Sequence, residues 1–177
     1  MVRDEDLKSS VDYSEGQKRA AHRVLVELVN IFEEYEDEIR VVGDGEGCTC
    51  LFEVQVKGAS TKEQAKILAK SIVTSNLTKA AIFGHDANWG RILCAMGYSG
   101  VDFKPEKVDI FFESNAGKLQ IVKDGTATDY SEEKATEILS QNPVTAIADI
   151  KQGNSEATAW GCDLTFDYIK INADYRS

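Results

Sequence analysis

Apolar residues recur at Ala21, Val24, Leu25, Leu28, Ile31, Phe32, Tyr35 and Ile39. This spacing of three and four residues lines one face of a helix over about seven turns. Ser14, with Gln17 three residues on, reads as its capping box. Gly43, after Val41 and Val42, reads as its stop. The residues before Ser14 read as an irregular, charged lead-in. From Leu51 to Lys57 the period changes to two, the mark of a half-buried strand that ends at Gly58. Ser60 or Thr61 then caps a second helix, with Ala65, Leu68, Ala69 and Ile72 on its inner face and its end near Asn76. The short apolar run Ala80–Phe83 reads as a strand. After Gly84–Arg91 a short helix carries Ile92, Leu93, Ala95 and Met96 and closes at Gly97.

Further along, Lys107–Glu113 and Leu119–Val122 flank Ser114-Asn115-Ala116-Gly117-Lys118, which is a hairpin signal. Ser131 and Glu132 start a helix that runs through Leu139 and stops at Asn142-Pro143. Val144–Ile150 and Ala157–Ile171 read as two strands joined as a second hairpin by Lys151-Gln152-Gly153-Asn154. Helices and strands mix without a strict β-α-β repeat. The fold class expected is therefore α+β: a layered α/β sandwich of mixed sheet with flanking helices.

Composition narrows the function classes. The chain has 177 residues, 30 acidic against 20 basic, and a net charge of −10. A general nucleic-acid binder needs a basic face, so nucleic acid is not an expected partner. No apolar run approaches the roughly 20 residues of a membrane span, and the acidic start Met1–Asp6 lacks the apolar core of a signal peptide. A cytoplasmic protein is expected. The four cysteines, Cys48, Cys50, Cys94 and Cys162, have no paired zinc-type spacing; reduced thiols and no metal are expected. On a strand, Cys48 and Cys50 would point to the same face.

Two stretches offer chemistry. Gly43-Asp44-Gly45-Glu46-Gly47 combines backbone freedom with two carboxylates. It is either a helix stop and turn or a place where Glu46 meets the ammonium or guanidinium of a ligand. It is not a nucleotide loop: no lysine and no following helix accompany it, and two acids repel phosphate. Gly84–Arg91 allows a helix cap by Asn88, a core-edge Trp89 and an Arg91–Asp86 pair, or a helix N-terminus open to a ligand carboxylate. His22 and His85 stand alone, and His22 reads as a packing residue. No serine or cysteine carries a nucleophile motif, so no catalytic residue is assigned.

Three runs taken together resemble a known family. They are Val42-Gly43-Asp44-Gly45-Glu46-Gly47-Cys48-Thr49, Phe83-Gly84-His85-Asp86-Ala87-Asn88-Trp89-Gly90-Arg91-Ile92-Leu93, and Ile171-Asn172-Ala173-Asp174-Tyr175-Arg176-Ser177. In this order and spacing they are similar to the C-terminal (β) chain of the ornithine acetyltransferase / glutamate N-acetyltransferase family of arginine biosynthesis. The likeness runs from about residue 14 to the end. The family enzyme is made as a precursor that cuts itself before a threonine. The threonine, now at a chain start, takes acetyl from N-acetylornithine and passes it to glutamate, in a ping-pong scheme without a cofactor. The α chain supplies an oxyanion hole.

The resemblance implies that Glu46, Asn172 and Ser177 contact substrate, the last standing where the family usually has threonine. It implies a larger, autoprocessed two-chain fold assembled as an α2β2 heterotetramer with the α chain. Residues 1–50 would be the helical part of the nucleophile-bearing lobe, and 51–177 an α+β domain whose tail returns to the substrate site. The sequence departs from the family's pattern in places. Gly43 and Cys50 replace basic residues, His85 and Ala87 replace an acid and a proline, and the cleavage motif with its threonine is absent. The expectation is an N-terminally truncated β chain that transfers no acetyl group alone. The alternatives are a non-catalytic amino-acid-binding or assembly module on the same fold, and an enzyme whose acyl substrate has drifted.

Overall fold

Strand β1, Leu51–Ala59, shows why the molecule layers as it does. Phe52, Val54 and Val56 are fully buried, whereas Leu51, Glu53, Gln55 and Lys57 between them stay partly exposed. A period-two pattern of this kind buries one face of a sheet and leaves the other wet. The computed structural model describes residues 47–174. The helix read over Ser14–Val42, most of the 1–50 segment and the final Tyr175–Ser177 lie outside the described residues.

Six strands form one mixed sheet in the order β4-β3-β2-β5-β1-β6. They are β1, β2 (Asp109–Ser114), β3 (Gly117–Lys123), β4 (Thr126–Ala127), β5 (Val144–Asp149) and β6 (Ser155–Cys162). β1 runs parallel to β5 and antiparallel to β6, and β2 and β3 make the expected antiparallel hairpin. Val54 lies between Ala146 and Ala159, and Val56 between Ala148 and Ala157. These small flanking residues leave room for a helix to lie over the large side chains of β1.

Helix α1, Lys62–Val73, lies over β1 and β6 with Ala65, Leu68, Ala69 and Ile72 buried. Its cap is Thr61, whose Oγ1 accepts from Gln64 N at 3.1 Å, while Gln64 Oε1 accepts from Ser60 N at 2.8 Å. The pair resembles a capping box shifted by one residue, since Gln64 reaches the N–H before the cap rather than that of Thr61 itself. Helix α3, Trp89–Gly97, packs on α1 through Ile92, Ala95 and Met96. Helix α4, Glu132–Leu139, is capped by Ser131 and covers β2 and β3 through Ala135, Ile138 and Leu139. Strand and helix side chains join in one core cluster, which puts the helices on the same face of the sheet. The fold is α+β, a mixed sheet with flanking helices, as the alternation of periods indicated.

Three local expectations are corrected. Ala80–Phe83 is not a strand but the last turn of helix α2, Asn76–Phe83. A four-residue apolar run cannot tell a buried strand from a helix turn. The deciding feature is Ser75, whose Oγ accepts from Thr78 N and starts the helix upstream. The strand from Ala157 does not reach Ile171. It ends at Cys162, and Thr165 caps helix α5, Phe166–Ala173, by accepting from Tyr168 N at 2.9 Å. Finally, β5 and β6 do not form a hairpin, because β1 lies between them.

The connection instead steps over the end of β1. Ile150 N donates to Lys57 O at 3.0 Å and Gln152 N to Gly58 O at 2.6 Å. A Cβ on Gly153 would sit 2.3 Å from Ala59 O, so only glycine allows this crossing. Among the described residues no helix is long and apolar enough to cross a membrane.

Phe112 is 1 % exposed and sits on β2 beneath α4, opposite Leu119 and Ala146. Phe112→Ala is expected to lower unfolding free energy by about 3–5 kcal/mol. Urea titration of both proteins measures it, and an unchanged midpoint would show that this part of the core tolerates a cavity.

Candidate functional site

The glycine loop enters the described structure at Gly47, and the residues that receive it come from the other end of the chain. Asp163, directly after β6, is 0 % exposed. Its Oδ1 accepts from Thr49 N at 2.9 Å and from Cys50 N at 3.2 Å, and its Oδ2 accepts from the Thr49 hydroxyl. Asp163 N donates to Cys50 O at 3.1 Å. A buried carboxylate is stable only when its oxygens are matched by donors, and here three donors from one short segment match it. On the other side, Asn142 Oδ1 accepts from Leu51 N at 2.9 Å and Asn142 Nδ2 donates to Thr49 O at 3.4 Å. The lead-in to β1 is held from both sides.

Thr165 makes the next link. Its Oγ1 donates to Gly47 O at 2.5 Å while capping α5. Gly47 has φ +76, and a Cβ there would lie 2.8 Å from Tyr168 N and 3.0 Å from the Asp167 carbonyl carbon. The last glycine of the loop is therefore glycine for two reasons, its left-handed backbone and its contact with the first turn of α5. Lys79 from α2 closes the group, with Nζ 5.7 Å from the centre of the Tyr168 ring.

Of the expected substrate contacts, Glu46 and Ser177 lie outside the described residues. Asn172 falls in the last turn of α5, about 9 Å along the helix axis from its start. Gly47, next in sequence to Glu46, touches the helix that carries Asn172.

The second candidate stretch is used for packing. Asn88 Oδ1 caps α3 by accepting from Arg91 N at 3.1 Å, and Asn88 Nδ2 donates to Asp86 at 2.9 Å. Trp89 packs on the core edge. Arg91 does not pair with Asp86; its Nη1 donates to Leu77 O at 3.0 Å, which fastens α3 to α2. His85 adopts φ 53 and its Nδ1 lies 3.3 Å from Ser140 Oγ. His22 lies outside the described residues.

The cysteines also depart from expectation. Cys48 precedes the strand, so Cys48 and Cys50 do not share a face: Cys50 joins the main core and Cys48 packs against Cys162. Burial, reinforced by the charge of Asp163, pushes the Cys50 thiol up to about 11. A hydrogen bond from Cys48 brings Cys162 down to about 7, against the opposing effect of its burial. Among the described residues no three His, Cys, Asp or Glu side chains gather as a metal site. Asp163 and the Cys48–Cys162 contact carry no local sequence signal, because partners so far apart in the chain meet only through the sheet. Thr165, followed by Asp167 in the first turn of α5, is the helix-start signal that the reading of a strand to Ile171 passed over.

Comparison with known proteins gives a consistent answer. The ArgJ family profile matches residues 13–177. The chain is 48% identical over 160 residues to arginine biosynthesis bifunctional protein ArgJ 1 of Clostridium acetobutylicum, covering 90% of this chain and 37% of that protein. It is 42% identical over 169 residues to glutamate N-acetyltransferase of Methanopyrus kandleri, covering 96% of this chain and 41% of that protein. In structure it is similar to the crystallised arginine biosynthesis bifunctional protein ArgJ of Bacillus halodurans. That match has a TM-score of 0.74 and 45% identity, over 79% of this chain and 64% of that one. The chain thus spans about two fifths of the length of these curated relatives.

Asp163→Ala would strip the carboxylate from two backbone N–H groups and a hydroxyl. A loss of about 3 kcal/mol is expected, from the value of a buried hydrogen bond to a charged acceptor and the desolvation cost of donors left unpaired. Thermal or urea unfolding reads it, and a neutral result would remove Asp163 as the clamp. Gly47→Ala should separately perturb α5, seen as loss of amide protection at Tyr168 in hydrogen exchange.

Proposed function

The chain belongs to the ArgJ family, and from that premise we propose that it is the β-chain portion of an enzyme moving acetyl from N-acetylornithine to glutamate. The observation that best supports this reading is the contact of Gly47 with the first turn of α5. It links the loop of Glu46 to the helix of Asn172, two of the three positions that the family resemblance marks as substrate contacts. The carboxylate of Glu46 suits the ammonium of an amino-acid substrate. The Asn172 amide and the Ser177 hydroxyl suit its remaining polar groups.

In this reading the chemistry begins on a threonine outside this sequence. Its hydroxyl attacks the acetyl carbonyl of N-acetylornithine, the ornithine amine leaves, and an acetyl-threonine ester remains. The amine of glutamate then attacks that ester and departs as N-acetylglutamate, with the threonine hydroxyl restored. The threonine's own amino group serves as base, and α-chain donors stabilise the oxyanion. The partner is the α chain of the same precursor, in an α2β2 assembly working in the cytoplasm. Exposed apolar side chains fit a surface made to be covered: Phe166 and Ile169 on α5 are 79% and 52% exposed. A chain without the threonine transfers no acetyl by itself.

Two measurements test the proposal. Joined to upstream sequence that contains the threonine, the protein is expected to exchange acetyl between acetylornithine and glutamate, whereas the present chain does not. Within that active form, Glu46→Ala should lower kcat/KM for both amino acids about 10- to 100-fold, the value of a charge-assisted hydrogen bond. Unchanged kinetics would take Glu46 out of the site. Binding of the amino acids with no exchange would favour a non-catalytic amino-acid-binding module instead.

A further inference from the structure

Three thiols crowd the junction where β1 begins and β6 ends, and they differ in chemistry. Cys50 faces the core, where its Sγ donates to Gln141 O at 3.7 Å and Leu51 O at 3.5 Å. With its thiol held up at about 11, it stays protonated at neutral pH. Cys162 is 3% exposed, and half-buried Cys48 packs against it and donates a hydrogen bond to it. The other charged groups acting on Cys162 are Lys79, which favours the thiolate, and Asp163, which opposes it. A thiol buried among apolar groups ordinarily becomes less acidic. The contact with Cys48 reverses that, and it brings two sulfurs together just after Gly47 in the chain. Cys94, the fourth, is exposed on α3.

We propose that Cys48 and Cys162 form an oxidation site, at which a low-molecular-weight disulfide such as oxidised glutathione converts the two thiols into an intrachain disulfide. Cys48, the less buried of the two residues, passes its proton along their hydrogen bond to the Cys162 sulfur, which releases it to water, and attacks as a thiolate one sulfur of the oxidant. The oxidant's S–S bond breaks and one small thiolate leaves. The Cys162 thiolate then attacks Cys48 Sγ in the mixed disulfide, the new S–S bond forms, and the second small thiolate is released. The protein gives up two protons and two electrons, and the oxidant is reduced to two thiols. A resolving thiol with a pKa near ambient pH is close to the optimum for this attack. The product staples the segment that leaves Gly47 to the end of β6.

The test is to incubate the chain with oxidised glutathione at neutral pH, digest it without reduction and map the products by mass spectrometry. A cross-linked pair joining Cys48 to Cys162 is expected, with an intact mass lighter by two hydrogens, both reversed by dithiothreitol. Cys50→Ser and Cys94→Ser should keep the cross-link, and Cys48→Ser should lose it. Cys48→Ser replaces a half-buried side chain, so its fold can be checked directly by circular dichroism. A glutathione adduct that persists on Cys48 of the unaltered chain, or a cross-link through Cys50, would overturn the proposal.

Discussion

The carboxylate of Asp163 fastens the segment entering β1 to the segment leaving β6, which the pairing of Leu51 with Cys162 brings side by side. It takes hydrogen bonds from Thr49 and Cys50, which lie 114 and 113 residues away in the chain. A buried charge of this kind is costly unless its oxygens are matched, so the site is all or nothing: either the segment entering β1 sits in place or the carboxylate is stranded. Two residues further on, Thr165 caps α5 and holds Gly47, so the same junction carries both contacts. The main core does something different. It presses helices onto one face of the sheet, and the register of β1 against β6 brings the two segments together without matching the polar groups of either.

This division explains how much was legible in the sequence. The elements with a sustained period and a visible cap, α1, α3 and α4 and the β2–β3 hairpin, appear where the pattern puts them. The errors fall where a short apolar run had to be assigned without its neighbours. Ala80–Phe83 became a helix turn because Ser75 caps upstream, and the run after Cys162 became α5 because Thr165 caps again. The supposed second hairpin failed for a topological reason: four polar residues suit a tight turn and suit equally well a step across the end of β1.

The candidate site was legible in a different way. Composition left Gly43–Gly47 divided between a turn and a ligand contact, and the resemblance of three separated runs to one family singled out Glu46. The structure adds the neighbourhood rather than the contact itself. Gly47 needs its glycine because the first turn of α5 occupies the space of a side chain. The stretch around Asn88, by contrast, is consumed by capping and by the fastening of α3 to α2. A motif can recur throughout a family because it holds a helix in place, with no ligand involved.

The placement of β1 has a bearing on how the molecule is made. β1 leaves the ribosome ahead of the other five strands of the described sheet, yet both of its hydrogen-bonding neighbours, β5 and β6, are the last two of the six to be synthesised. Until Val144 and Ser155 appear, both strands that pair with β1 in the described sheet are missing, and among the described helices that cover it α1 follows it closely in sequence. Pairing over such separations is slow, and an unpaired apolar strand is the kind of surface that associates wrongly. Pairing around β1 therefore waits for the last two of the six strands to be synthesised.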